Sequence, residues 1–310
     1  MSSIQNIQAK EIRDSRGNPT LEVEIETKHG RGVASVPSGA SVGEHEALEL
    51  RDEDGTGVSK AIGRINETIA TVVIGKEFDQ AGLDTFLCGL DGTPNKSLLG
   101  ANAILGVSIA FARAAAVEQG RALYAYLGNL DGRTTFSIPQ PLFNILNGGK
   151  HAKHGIDIQE CMLAPIGFKN MHERVTAAKK CVATLKSLLE EKGYGTAMGD
   201  EGGFAHSIIS NDEALEMLVA AITGSGYTMG QIKISLDVAA SSLYTEGTYR
   251  LNVGGKTQNV RTEDLLDWYA ASAKKYGLIS IEDGFAEDDW DSFVALEKEL
   301  GGTLSIVGDD

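Results

Sequence analysis

Strict alternation of apolar and polar residues marks the first clear element of the chain. Residues 21–26 read Leu-Glu-Val-Glu-Ile-Glu, the pattern of a strand with one buried face. The three strands predicted in this region cover residues 7–12, 21–26 and 32–36. Residues 58–75 and 101–118 have helical periodicity, and the second segment is rich in small residues that permit close packing. We therefore predict an N-terminal α+β domain with a small antiparallel sheet.

From about Ser137 the pattern changes to short apolar runs that alternate with amphipathic helices. The predicted strands cover residues 142–146, 158–164, 232–237, 278–282 and 304–308. Alternation of this kind predicts α/β architecture, with a parallel sheet and helices outside it.

Three amphipathic helices separate these strands. The apolar faces of the first two consist of Val175, Val182, Leu185 and Leu189, and of Leu215, Leu218, Val219 and Ile222. The second helix is predicted to begin with a capping box formed by Ser210 and Glu213. The third is predicted over residues 262–276, with Gly277 as its C-terminal stop.

The number of predicted strands is too small for a closed barrel. A (β/α)₈ barrel has eight strands and needs roughly 250 residues, whereas residues 137–310 provide five strands. We expect a C-terminally incomplete version of a longer protein, lacking about its last three strands, whose open sheet edge favours association. The predicted domains are residues 1–132 and 133–310.

Charge and composition narrow the class of partner. The net charge of −15 repels nucleic acid and anionic membranes, although a bound dication could still attract a small anionic substrate. No window approaches the roughly 18 apolar residues of a membrane span, and the N-terminus has no signal peptide pattern, so we expect a cytoplasmic protein. Cys88, Cys161 and Cys181 lack the spacing of a disulfide framework or metal site and are predicted to be buried free thiols.

Three predicted strands end in a carboxylate: Asp237, Glu282 and Asp309. In barrels and open parallel sheets, ligands bind at the carboxyl ends of the strands, and oxygen-only ligands favour Mg²⁺. One such acid is usually the N-cap of the next helix. Three on different strands favour a metal site, because their charges would repel without a dication. Asp283 and Asp310 are expected to orient the ligands or to pair with a lysine.

Two glycine-rich loops carry further candidate chemistry. Residues 36–48 are either a flexible surface turn or a mobile lid whose hydroxyls, such as that of Ser38, reach a phosphate or a cation. Residues 198–204 hold two acids, Asp200 and Glu201, among three glycines. They form either a solvated acidic turn or a site where neighbouring carboxylates raise the pKa of a general acid.

A fourth segment is Asn147-Gly-Gly-Lys-His151, followed by Gln159 and Glu160. The paired glycines allow the backbone to approach a ligand closely. A single histidine such as His151 is more often structural than catalytic. Glu160 opens an apolar strand, where a charge requires a reason, and this favours a role for the segment in a cleft.

In order and composition, these segments resemble the enolase family. The matching motifs are Asp14-Ser-Arg-Gly-Asn-Pro-Thr20, Val36-Pro-Ser-Gly-Ala-Ser41, Gly100-Ala-Asn-Ala-Ile-Leu-Gly-Val107, Leu146-Asn-Gly-Gly149 with His151, Gly199-Asp-Glu-Gly-Gly203, Ile281-Glu-Asp283 and Phe285-Ala-Glu-Asp-Asp-Trp290. The series extends along the whole chain and is far more specific than any one motif. It implies an α+β domain before an enolase-type (β/α)₈ barrel.

The resemblance also implies an activity and residue roles. Enolases are commonly homodimers that interconvert 2-phosphoglycerate and phosphoenolpyruvate in glycolysis and gluconeogenesis, with two Mg²⁺ ions. The implied metal ligands are Asp237, Glu282 and Asp309 for the first ion and Ser38 for the second. Glu201 corresponds to the acid that protonates the departing hydroxyl, assisted by Glu160. His151 and Gln159 correspond to substrate contacts.

Other features of the resemblance count against activity of this chain alone. The family's base is a lysine on the sixth barrel strand, and further substrate contacts come from strands seven and eight. All would lie beyond Asp310, so we expect the 310-residue chain to be inactive alone. Val42 and Gly284 stand where the family has Thr and Pro. The alternatives are a catalytically dead enolase-like binding or scaffolding protein, and another acid-sugar dehydratase of the superfamily.

Overall fold

The computed structural model describes residues 1–39, 41–149, 156–199, 202–205, 207–208, 210–253 and 256–310. Within these residues the chain divides into two compact units, Met1–Ile138 and Pro139–Asp310. The predicted boundary, between residues 132 and 133, lies in the exposed stretch 131–139 around this division.

The N-terminal unit contains an antiparallel sheet of four strands in the described residues, in the order β3-β2-β1-β4. Its strands are β1 (Ser2–Arg13), β2 (Pro19–Thr27), β3 (Arg31–Ser35) and β4 (Glu77–Phe78). The alternating pattern of β2 buries Leu21, Val23 and Ile25 completely, because successive side chains of a strand point to opposite faces. The predicted three-strand core of this sheet is confirmed.

Helices cover one face of this sheet. They are α1 (Ser59–Gly63), a π-helical segment (Arg64–Ile69), α2 (Ala70–Val73), α3 (Gln80–Asp91), α4 (Ala101–Glu118) and α5 (Leu123–Leu130). The prediction for 101–118 is confirmed to the residue, whereas α3 and α5 were not predicted. α4 packs very closely on β3: a methyl group at Gly32 would lie 2.1 Å from the carbonyl oxygen of Ala110. Small residues therefore set the distance between helix and sheet.

α4 corrects one expectation from the sequence. By length and composition this helix could cross a membrane, although no such window was expected. In the structure 56% of it is buried, and Val107, Phe111 and the alanines around them belong to the core of the N-terminal unit. The helix is accounted for by packing within that unit.

The C-terminal unit contains a mixed sheet, which in the described residues has the order β14-β13-β9-β6-β5-β8-β7. Its strands are β5 (Phe143–Asn147), β6 (Glu160–Ala164), β7 (Ala197–Met198), β8 (Phe204–Ala205), β9 (Lys233–Asp237), β13 (Leu278–Glu282) and β14 (Ser305–Val307). No pairing between β7 and β14 closes the described part of this sheet. The unit is therefore an incomplete barrel.

The prediction of a parallel sheet is wrong for β6, which runs antiparallel to both β5 and β9, and for β7, which runs antiparallel to β8. The β5–β6 ladder continues beyond the strands, since Gly148 N donates to Gln159 O at 3.0 Å and Gly149 N to Ile156 O at 2.9 Å. The chain thus doubles back as a hairpin does, and antiparallel neighbours need no helical crossover. The pairs β9–β13, β13–β14 and β5–β8 are parallel.

Helices and a second small sheet complete this unit. The helices are α6 (Met171–Glu191), α7 (Asn211–Gly224), α8 (Thr262–Tyr276) and α9 (Trp290–Leu300), and the small sheet, which was not predicted, consists of β10 (Tyr244–Thr245), β11 (Thr248–Val253) and β12 (Lys256–Val260). Ser210 caps α7 by accepting from the backbone N–H of Glu213. Gly277 ends α8 in the left-handed conformation, at φ 67°. Both predicted helix ends are confirmed.

Candidate active site

One row of residues runs across adjacent strands of the C-terminal sheet, at the end where β5, β9 and β13 finish. Asn147 pairs with Glu160, Glu160 with Asp237, Asp237 with Glu282, and Glu282 with Val307. Register partners on adjacent strands lie side by side on the same face of a sheet. The reversed direction of β6 explains why its first residue is an acid. That residue lies at the same end of the sheet as the last residues of β9 and β13. Three carboxylates thus become neighbours.

A first carboxylate cluster forms where β9 and β13 end. Asp237, Glu282 and Asp283 each offer an oxygen, and these oxygens all lie within 4.8 Å of one another. Asp283 has a positive φ of 45°, which is rare for a residue with a side chain and is often found at functional sites. The kink interrupts the alternation of a regular strand, so two consecutive acids can belong to one cluster.

The electrostatics of this cluster reflect burial and like charge. Burial, followed by repulsion from Glu282 and Asp283, raises the pKa of Asp237 to about 7. Two hydrogen bonds oppose this shift, from Ala239 N at 3.0 Å and from Gln159 Nε2 at 3.2 Å. Burial and then the neighbouring acids also raise the pKa of Glu282. The site therefore holds more negative charge than it can stabilise by itself.

A second cluster consists of Asp283, Asp309 and Asp310, with carboxylate oxygens again within 4.8 Å. The side chain of Asp283 accepts from the backbone N–H groups of Asp309 at 2.9 Å and Asp310 at 3.1 Å. Of the three predicted metal ligands, the structure thus brings Asp237 and Glu282 into one cluster and Asp309 into the other. Asp283 belongs to both.

The donor set suits a hard divalent cation. Carboxylate oxygens are the preferred ligands of Mg²⁺ and Ca²⁺. Burial and, after it, repulsion between the acids raise the pKa values of Asp237 and Glu282, and a dication would stabilise the charged form of both carboxylates. Asp237, Glu282 and Asp283 are the residues best placed to hold it.

Asn147 contacts Gly203, two positions after the predicted acid Glu201. This asparagine is fully buried; its Nδ2 donates to Gly203 O at 3.4 Å, while its Oδ1 has no hydrogen-bond partner in the described part of the chain. Gly199 N donates to Gly203 O at 2.7 Å, which closes the turn. Glu201 itself lies outside the described residues, as does His151.

Gly203→Ala is expected to destabilise the C-terminal unit by about 1–3 kcal/mol, the range for an overpacked core. The new methyl group would lie 2.5 Å from Oδ1 of Asn147 and 2.9 Å from Oδ1 of Asn144. Urea denaturation measures the change. Gly230→Ala is the matched control, because its methyl group would meet only Thr228, at 3.6 Å. Equal stability of the two variants would contradict the packing argument.

Ser38 lies in the N-terminal unit, in a network of charged side chains. Its Oγ donates to Glu49 Oε2 at 2.6 Å and accepts from Arg51 Nη2 at 2.8 Å. Arg16 Nη2 donates to the carbonyl oxygens of Ser38, at 2.8 Å, and Gly39, at 3.2 Å. The hydroxyl is therefore engaged within its own unit, and its contact to a second cation stays a prediction.

The three cysteines are free thiols as predicted, but their burial differs from the prediction at one position. All three are free, as predicted; Cys161 and Cys181 are buried, whereas Cys88 is exposed, so the prediction of three buried thiols is wrong for Cys88. Position 88 falls on the outer side of α3, a helix that the sequence analysis did not identify. Burial, and then the charges of Glu160 and Asp237, raise the pKa of Cys161.

The sequence analysis did not predict the positions that two residues of the site occupy. Asp283 was expected only to orient ligands or to pair with a lysine, and Asn147 was noted only as the start of a glycine motif. The acidic doublet at 282–283 was the available signal for Asp283. No signal for Asn147 existed, because its contact with the 199–203 turn joins segments more than fifty residues apart.

Family models match nearly the whole chain. Residues 4–127 match the model described as "Enolase, N-terminal domain". Residues 135–310 match the model described as "Enolase, C-terminal TIM barrel domain".

Proposed function

The chain belongs to the enolase family, and on that premise we propose that it binds 2-phosphoglycerate, the substrate that the family's complete set of catalytic residues dehydrates to phosphoenolpyruvate. The family supports lyase chemistry of the enolase type in general. The observation that carries the proposal is the row in which Glu160, Asp237 and Glu282 lie on adjacent strands. Such an arrangement would hold a dication, which suits a reaction in which a substrate carboxylate gains negative charge.

Mg²⁺ is the proposed cofactor, with two ions expected. Asp237 and Glu282 would hold the first, with Asp309 or Asp283 as the third carboxylate; Ser38 would contact the second. When bound, the ions would supply positive charge where the substrate becomes more negative, which favours the transition state over the ground state. The Gln159 amide, bonded to Asp237 at 3.2 Å, would hold that carboxylate in place.

The chain's own acids would handle the leaving group. Hydroxide leaves poorly unless it is protonated, so a carboxyl group with a raised pKa is needed beside it. We assign this role to Glu201, with Glu160 assisting and with His151 and Gln159 on the substrate. Glu160 lies next to Asp237 in the sheet register, which supports a role for it beside the proposed cation.

The 310-residue chain is expected to form no phosphoenolpyruvate, even with Mg²⁺. The α-proton of a carboxylate is very weakly acidic, and the family removes it with a lysine. In the residues that the structure describes, the charges that shift the pKa of Glu282 are those of Asp283, Asp309 and Asp310, and no lysine is among them. Ultraviolet absorbance of phosphoenolpyruvate measures the rate, with an active enolase as the control. A Mg²⁺-dependent rise with the purified chain would contradict this expectation.

Calorimetry tests the cation and substrate assignments without requiring turnover. We expect saturable Mg²⁺ binding that 2-phosphoglycerate strengthens and that gluconate, a sugar acid, does not. Asp237→Asn should remove the binding, whereas Asp267→Asn, at an exposed position of α8, should not. Mg²⁺ binding that gluconate strengthens and 2-phosphoglycerate does not would point to another acid-sugar dehydratase. Absence of Mg²⁺ binding would overturn the proposal.

A further inference from the structure

A cavity of about 350 Å³ lies in the C-terminal unit between the start of α7, the β11–β12 hairpin and α8. None of its lining residues belongs to the carboxylate row. Its volume falls in the range of small-molecule sites, roughly 300–1,000 Å³. The cavity is therefore a separate candidate site.

The wall of the cavity combines an apolar surface with side-chain amides. Leu251 and Leu265 are buried and Trp268 is half-buried. Asn252 and Asn259 supply amides from the hairpin. An amide can donate and accept at the same time, and an indole ring offers a flat apolar face beside such polar groups.

One polar atom at this wall lacks a partner among the described residues. Asn252 Oδ1 is buried and accepts no hydrogen bond from them. The residue is held in place by its backbone N–H, which donates to Asp157 Oδ2 at 2.6 Å. A buried acceptor without a donor costs roughly 1–3 kcal/mol, and a ligand hydroxyl could supply that donor once the Asn252 side chain turns toward the cavity.

The charges at the cavity select the class of ligand. Asp212 and Asp264 are both negative and line the cavity, so phosphates and other anions are disfavoured. Both carboxylates already have partners: Asp264 Oδ1 accepts from Arg261 Nη2 at 2.9 Å, and Asp212 Oδ1 from the hydroxyl of Tyr276 at 3.4 Å. The ion pair with Arg261 offsets the charge of Asp264, which weakens the attraction of the cavity for a cationic ligand.

We propose that this cavity binds a neutral, polyhydroxylated small molecule, with the chemistry of a sugar or polyol. Vicinal hydroxyl groups would both donate to Asn252 Oδ1 and accept from the neighbouring amides. The apolar face of the molecule would rest against Trp268 and the leucines. This binding would require neither Mg²⁺ nor 2-phosphoglycerate.

Tryptophan fluorescence tests the proposal on the full chain. The chain has two tryptophans, so Trp290→Phe leaves Trp268 as the sole reporter. In a chelating buffer, D-glucose should change the emission in a saturable way. Adding Asn252→Ala or Asn259→Ala should weaken binding roughly tenfold, as expected for one lost hydrogen bond. Thr257→Ala, an exposed neighbour on β12 that does not line the cavity, should leave it unchanged.

Specific outcomes would overturn the proposal. A response to glucose that does not saturate, or one unchanged in both asparagine variants, would exclude a sugar site. Saturation by spermidine or by inorganic phosphate but not by glucose would assign the cavity to a charged ligand. Asn259 is exposed, so its variant is expected to fold even if the Asn252 variant does not. Because Mg²⁺ is absent, the result is independent of the proposed lyase function.

Discussion

Asp237→Asn is expected to abolish Mg²⁺ binding and, without metal, to stabilise the protein at neutral pH. In the fold the pKa of Asp237 rises from 3.8 to about 7. Between these values the folded state holds a proton that the unfolded state has lost, so the free energy of unfolding of the wild type falls as pH rises. A shift of this size corresponds to at most about 4 kcal/mol. Asparagine carries no charge and avoids this loss.

Urea denaturation in a chelating buffer, at about pH 5 and about pH 8, measures this difference. The wild type should lose more stability between the two pH values than Asp237→Asn. Added Mg²⁺ should restore the stability of the wild type at the higher pH, since a ligand that binds only the folded state stabilises it. The stability of Asp237→Asn should not change. Asp267→Asn serves as the exposed control. Parallel pH profiles for wild type and Asp237→Asn would refute the argument.

Gly32→Ala is expected to destabilise the N-terminal unit by about 3 kcal/mol or more, at the upper end for overpacking. The added methyl group would lie 2.1 Å from Ala110 O and 2.4 Å from Ala114 N. Both are backbone atoms of α4, so no side-chain rotation can relieve the contact. The helix would have to move away from the sheet and uncover the apolar face of β2.

A thermal melt followed by far-ultraviolet circular dichroism measures this effect. Gly89→Ala is the matched control, since it lies inside α3 and its methyl group would have no neighbour within 4 Å. That control should be neutral or gain about 0.5–1 kcal/mol from helix propensity. A Gly32→Ala variant that melts like the wild type would show that α4 can shift at little cost.

Local sequence signals predicted local structure well. The periodicity of α4, the Ser210 cap of α7 and the Gly277 stop of α8 each depend on residues within a few positions of one another. They appear in the fold as predicted because neighbouring residues determine them. The strand-end acids could also be located, since the end of an apolar run is visible in sequence.

Strand direction and long-range contacts could not be predicted in this way. An apolar strand such as β6 has the same pattern whether it runs parallel or antiparallel, so its reversal went unrecognised. The β11–β12 hairpin has mostly exposed residues on β12 and therefore no apolar signal. The membership of Asp283 in both acid clusters depends on a left-handed backbone, which the sequence predicts only weakly for aspartate.

The distribution of the free thiols makes the opening rate of one unit separately measurable. Cys161 and Cys181 lie inside the C-terminal unit, whereas Cys88 is exposed in the N-terminal unit. A maleimide reagent should modify Cys88 at once and the other two only when their unit opens, because a buried protonated thiol does not react. The slow part of the labelling time course therefore reports the opening rate of Pro139–Asp310 alone.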